Sequence, residues 1–120
     1  MKSGELVDFI RGEGLDVAID GDTVRLVGPA TIATPELVER VRPHKAALVD
    51  LMRSLPTFTP EEERALVDHY CNAPRPERLA MHRRGIEIHR NGWPWREADL
   101  QAMREHRERG GLGSSHEVEG

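Results

Sequence analysis

The hydrophobic pattern changes period along the chain, and its most regular stretch lies between Leu15 and Val27. Leu15, Val17 and Ile19 alternate with Asp16, Ala18 and Asp20, the period-2 pattern of a half-buried strand. Asp20-Gly21-Asp22 then supplies residues that tolerate positive φ, as a tight hairpin turn requires. From Thr23 the alternation resumes, with Val24 and Leu26 on one face and Thr23, Arg25 and Val27 on the other. A two-stranded hairpin alone is marginal in water, so helices are expected to cover its apolar face. Two strand edges stay open, and an open edge is either protected or pairs with something.

Around the hairpin the period is helical. Ser3 is the expected cap of a helix to about Arg11, with Leu6, Phe9 and Ile10 as its apolar stripe, ended by Gly12 and Gly14. Gly28-Pro29-Ala30 stops the second strand. Thr34-Pro35-Glu36 is a strong helix start, and this helix should turn Leu37, Val38 and Val41 inward before Pro43 ends it near Arg42. The next helix, about His44 to Ser54, presents Ala47, Leu48, Leu51 and Met52. Beyond Pro56, Thr59-Pro60-Glu61-Glu62 opens a helix carrying Leu66, His69 and Tyr70 on one face. A break at 72–76 precedes a helix from about Glu77 to Arg90, with Leu79, His82, Ile86 and His89 expected along one stripe. Trp93-Pro94-Trp95 leads into a last helix to about Arg109, anchored by Leu100 and Met103, and residues 110–120 read as a disordered acidic tail. The expected fold class is therefore α+β: a helix–β-hairpin–helix–helix unit over 3–55, followed by an all-helical extension over 57–109.

Composition narrows the function classes. The chain has 120 residues, a formal charge of −4 and a pI near 5.9, so a sequence-wide basic footprint for nucleic acid is absent. Residues 1–55 carry 7 basic and 9 acidic side chains, so the first half is not a basic module either. The single cysteine, Cys71, excludes an intramolecular disulfide and fits a reducing compartment. No apolar run is long enough to span a membrane, and the first residues lack the apolar region of a secretion signal, so a cytoplasmic location is expected.

One ordered set of fragments has a known counterpart. Leu6…Phe9-Ile10, Gly14-Leu15-Asp16-Val17, Gly21-Asp22-Thr23-Val24-Arg25-Leu26, Gly28-Pro29, Thr34-Pro35-Glu36-Leu37 and His44-Lys45-Ala46-Ala47-Leu48-Val49-Asp50-Leu51 together resemble the TubC-type N-terminal docking domain of nonribosomal peptide synthetases. The resemblance covers residues ~3–55 and leaves the C-terminal helices unassigned. It implies a homodimeric, non-enzymatic module that receives a short, usually acidic segment of an upstream subunit by strand addition. On this chain the receiving strand would be Thr23, Val24, Arg25, Leu26 and Val27, with Arg25 greeting a carboxylate and Lys45 opening the third helix. Asp16, Asp20 and Asp22 make this hairpin more acidic than its counterparts, which weighs against an acidic guest. No adenylation, condensation or carrier domain follows, so another assembly or a stand-alone adaptor is the expected setting.

Other candidates carry less. Lys45, with His44, begins a helix where a cation opposes the dipole, so a salt bridge to Asp22 or Glu39 is expected. His69, Cys71, His82 and His89 are the candidate metal set, but their spacing lacks the tight pairs of a zinc site, and no metal or cofactor is expected. Trp93 and Trp95 are expected to pack against the preceding helix. Arg75, Arg78, Arg83, Arg84, Arg90, Arg104, Arg107 and Arg109 form a stripe interleaved with glutamates, which favours a solvated, ion-paired face over a nucleic-acid surface. No nucleophile–base set or phosphate loop emerges, so no enzyme is expected. The leading expectation is a protein-docking module that binds a peptide or a second copy at the hairpin edge. The rival is a nucleic-acid accessory protein of a mobile element that uses the C-terminal arginines.

Overall fold

The computed structural model describes the backbone of residues 2–119 and the side chains of residues 2–109. The acidic tail expected over 110–120 falls outside the residues whose side chains are described. The chain forms two compact units, residues 1–55 with Gly92–Pro94, and residues 56–91 with 95–120.

In the first unit the order is α1 (Ser3–Gly12), β1 (Asp16–Asp20), β2 (Thr23–Val27), α2 (Pro35–Val41), a 3-10 turn (Arg42–His44) and α3 (Lys45–Ser54). The helix–hairpin–helix–helix α+β arrangement is as the pattern predicts. Ser3 is the first helical residue instead of the cap; the capping position is Lys2, whose backbone N–H donates to the Glu5 carboxylate at 3.3 Å. The strands pair antiparallel, Asp16 with Val27 through Asp20 with Thr23. That leaves a two-residue turn, and Gly21 alone takes positive φ (63°), which a side chain would strain.

Helices cover the hairpin's inner face. Leu6, Val7 and Ile10 of α1, Leu15, Val17, Leu37, Val41 and Leu48 form one buried cluster, with Val24 and Leu26 packed half-buried against it. Two expected inward residues are corrected. Val38 is 39% exposed, because Leu37 and Val41, one turn apart, already define the inner stripe of α2. Ala47 is exposed while Val49 is buried, a different phase for the outer part of α3. Pro43 does not interrupt the chain; it sits in the 3-10 turn that joins α2 directly to α3.

The second unit is helical: α4 (Pro60–Asn72), α5 (Arg75–Arg90) and α6 (Trp95–Glu119). The Thr59 hydroxyl accepts from the Glu62 N–H at 3.0 Å and caps α4, with Pro60 in the first turn. α5 starts at Arg75, earlier than expected, because Pro76 fits the first turn, where no intrahelical donor is needed. Its buried face is Met81, Gly85 and Ile88, and the expected stripe is corrected: Leu79 is 43% exposed and His82 is exposed. Gly85 explains the phase. A Cβ there would lie 2.5 Å from Asp99 Oδ1 and 3.5 Å from its Cα, so the glycine lets α6 approach α5 closely. Phe58, Leu66 and Leu100 form a second buried cluster, to which Met103 adds. None of the helices is long and apolar enough to cross a membrane among the described residues.

Candidate functional site

The hairpin's outer edge follows from its turn. A two-residue turn closes on a hydrogen-bonded pair, here Asp20 and Thr23, and pairing then alternates along the ladder. Arg25 and Val27 therefore spend their N–H and C=O groups on β1, while those of Val24 and Leu26 project away from it. Side chains alternate in the opposite sense to the solvent: Thr23, Arg25 and Val27 are exposed, and Val24 and Leu26 point inward.

Beside this edge runs an apolar groove of about 290 Å³. It is lined by Thr23, Val24 and Leu26 from β2, Ala33, Val38 and Val41 from the far wall, and Arg42 and Lys45. The loop after β2 sets the far wall. The Ile32 and Ala33 N–H groups both donate to the Pro29 carbonyl (3.0 and 3.2 Å), folding the loop back so that Ala33 meets the groove. The Thr34 hydroxyl then caps α2 by accepting from Leu37 N–H at 3.3 Å, which fixes the helix so that Val38 faces the groove.

The predicted strand residues thus lie on one edge, and Lys45 joins them through the groove. The predicted salt bridge of Lys45 is corrected. Asp22 pairs with Arg53 at 2.8 Å and Glu39 with Arg42 at 3.1 Å, and among the described residues no carboxylate lies in ion-pair range of Lys45 or Arg25. Arg53 also donates to the Gly21 carbonyl at 2.9 Å, so it pins the turn as well as neutralising Asp22. Asp16 is held by Arg11 at 2.9 Å. Two of the three aspartates that make the hairpin acidic are therefore partnered, and Asp16 and Asp20 belong to β1, across the ladder from the open edge. Ala33 and Arg42 are not candidates in the sequence reading, and Val38 and Val41 enter it only as inward core residues. The spacing of Leu37 and Val41 was the available signal, since it leaves Val38 on a different face.

In the second unit the structure does not assemble the metal-type residues. His69 meets His106, Cys71 is exposed, and His82 lines a separate cavity with Tyr70, Met81, Asp99 and Met103. The His89 ring stacks on Trp95 at 3.7 Å. Among the described residues no three His, Cys, Asp or Glu side chains are grouped to hold a metal ion. Several arginines of the stripe are paired between helices: Arg84 with Glu105 at 2.9 Å, and Arg104 with Glu62 at 2.8 Å while its guanidinium lies over the Phe58 ring. Arg109 also reaches Glu105, at 3.7 Å. No family model, curated protein or solved structure matches this chain.

Proposed function

We propose that this protein is a non-enzymatic docking module whose β2 edge captures an extended, acidic segment of another protein by strand addition. The observation that carries this reading is the juxtaposition of outward backbone groups at Val24 and Leu26 with the apolar groove beneath them. Backbone hydrogen bonds to these two residues supply register, and guest side chains opposite them enter the groove. The guest residue opposite Arg25 stays on the outer face, within reach of a guanidinium that has no carboxylate partner among the described residues. With Arg42 and Lys45 at the groove, the charge favours a guest that alternates apolar and acidic residues. The likeness of residues ~3–55 to TubC-type docking domains supports the same reading.

A second copy of the chain is a poorer guest. Self-pairing of β2 about a two-fold axis overlaps fully only when Arg25 faces the second copy's Arg25, which places like charges directly opposite. Shifting the register runs the strand into the turn at Asp22 or into Gly28-Pro29, where the ladder stops. Calorimetric titration with a short synthetic peptide alternating valine and glutamate tests the proposal. Binding that is lost in Arg25→Glu and in a peptide with lysine for glutamate supports it; equal affinity for both peptides, or an unaffected Arg25→Glu variant, overturns it.

A further inference from the structure

Three helices of the second unit meet at a polar cluster that the docking reading does not use. His69, near the end of α4, places Nε2 2.9 Å from Nδ1 of His106 on α6. Nε2 of His106 lies 3.3 Å from the Glu77 carboxylate, in the first turn of α5. The two rings are tilted by 48° with centroids 5.1 Å apart, so the contact is edge-on through the nitrogens and not a stack. Only one proton order satisfies all three groups when both rings are neutral. His106 donates from Nε2 to Glu77 and accepts at Nδ1, and His69 donates from Nε2.

We propose that His69, His106 and Glu77 form a proton-operated clasp that fastens the end of α4 to α6 near neutral pH and loosens on mild acidification. A first proton fits on the remaining nitrogen of His69 and leaves the hydrogen bond intact. The second must enter Nδ1 of His106, the nitrogen that accepts from His69, and then two N–H groups and two positive rings face each other. The charged groups acting on His69 besides His106 are Glu77 from α5 and Arg107 from α6, one favouring its imidazolium and one opposing it. Burial, then His106, then Arg107 hold His69 below the ordinary histidine range against the pull of Glu77. His69 therefore binds a proton less readily in the folded form than in the unfolded form, so its contribution to the clasp is complete above about pH 6.5 and is lost as pH falls below it, even before its hydrogen bond to His106 opens.

The full chain is tested by imidazole nitrogen NMR and by amide hydrogen exchange, corrected for intrinsic rates, at about pH 7 and about pH 5. The expected result is both rings protonated on Nε2 at neutral pH, with protection of the His69–Asn72 amides falling several-fold on acidification. His106→Gln, which keeps an acceptor for His69 but cannot titrate, should hold its protection. Glu77→Gln should deepen the loss, because it removes the one charge that favours the imidazoliums. A neutral His106 carrying its proton on Nδ1 overturns the proposal, and this measurement needs no variant to fold. Unchanged protection in the wild-type chain, or an equal loss in His106→Gln, overturns it as well.

Discussion

The two units handle their polar groups in opposite ways. In the helical second unit, long charged side chains are spent on one another across helices: Glu62 on Arg104, Glu63 on Arg96 and Glu105 on Arg84. The Thr59 hydroxyl takes the Glu62 N–H at the start of α4, and the cation of Arg104 also covers the Phe58 ring. In the first unit Arg53 and Arg11 hold Asp22 at the turn and Asp16 on β1, and Arg42 pairs with Glu39 at the end of α2. Along β2 the account is unfinished. Two backbone positions face outward, the neighbouring groove is apolar, and among the described residues no carboxylate lies in ion-pair range of Arg25 or Lys45. The second unit closes its polar groups internally, whereas the first leaves a strand edge and two charges open, which is the difference the proposed docking role draws on.

Breaking the core of either unit should produce the largest effect and separate scaffold from edge. Leu48 and Leu66 are fully buried, one in each unit. Leu48→Ala and Leu66→Ala should each cost about 2–5 kcal/mol in denaturant unfolding, from lost burial and the cavity left behind. Only Leu48→Ala, beside the hairpin, should also weaken peptide capture by the molecules that stay folded.

A pair of prolines sharpens the comparison within β2. Val24→Pro removes a donor that points outward, so the hairpin should persist while peptide titration shows capture lost. Arg25→Pro removes a donor that belongs to the ladder with β1, so strand signal in far-UV circular dichroism should fall as well. Matching behaviour of the two variants would contradict the assigned register.

Smaller effects are expected from the ion pairs of the second unit. Arg104→Met keeps much of the stem over Phe58 but loses the pair with Glu62, and should cost about 1 kcal/mol without touching capture. The hydrogen bond from Arg84 holds the Glu105 carboxyl below the usual carboxylate range. Its stabilisation is therefore present above that range and lost as pH falls through it. Arg84→Met should flatten the acid side of a stability-versus-pH curve and leave its neutral plateau lowered.

The hairpin was legible because period 2 and a single glycine at the turn leave few alternatives, and the Thr-Pro starts of α2 and α4 were legible because a cap and a proline act locally. The face of α5 was not. Its apolar residues are scattered over several sides, and the phase is decided by Gly85, which in a sequence reads as a helix weakener and in the fold lets Asp99 of α6 approach. The groove escaped for a similar reason. It exists only once the 28–34 loop brings Ala33 opposite β2, a placement that no periodicity encodes. The expected bridge of Lys45 to Asp22 or Glu39 does not form because Arg53 reaches Asp22 from the far end of α3 and Arg42 takes Glu39. Candidate strand residues could thus be read along the chain, while what lies beside them depends on contacts between elements distant in sequence.

Amide hydrogen exchange along β2, with and without the valine–glutamate peptide, tests the central claim most directly. In the free protein the Arg25 and Val27 amides should be protected and those of Val24 and Leu26 should exchange rapidly; on adding peptide, Val24 and Leu26 should become protected while Arg25 and Val27 change little. Rapid exchange at Val24 and Leu26 that persists under saturating peptide, or protection of these two amides before any peptide is added, would contradict docking at the β2 edge.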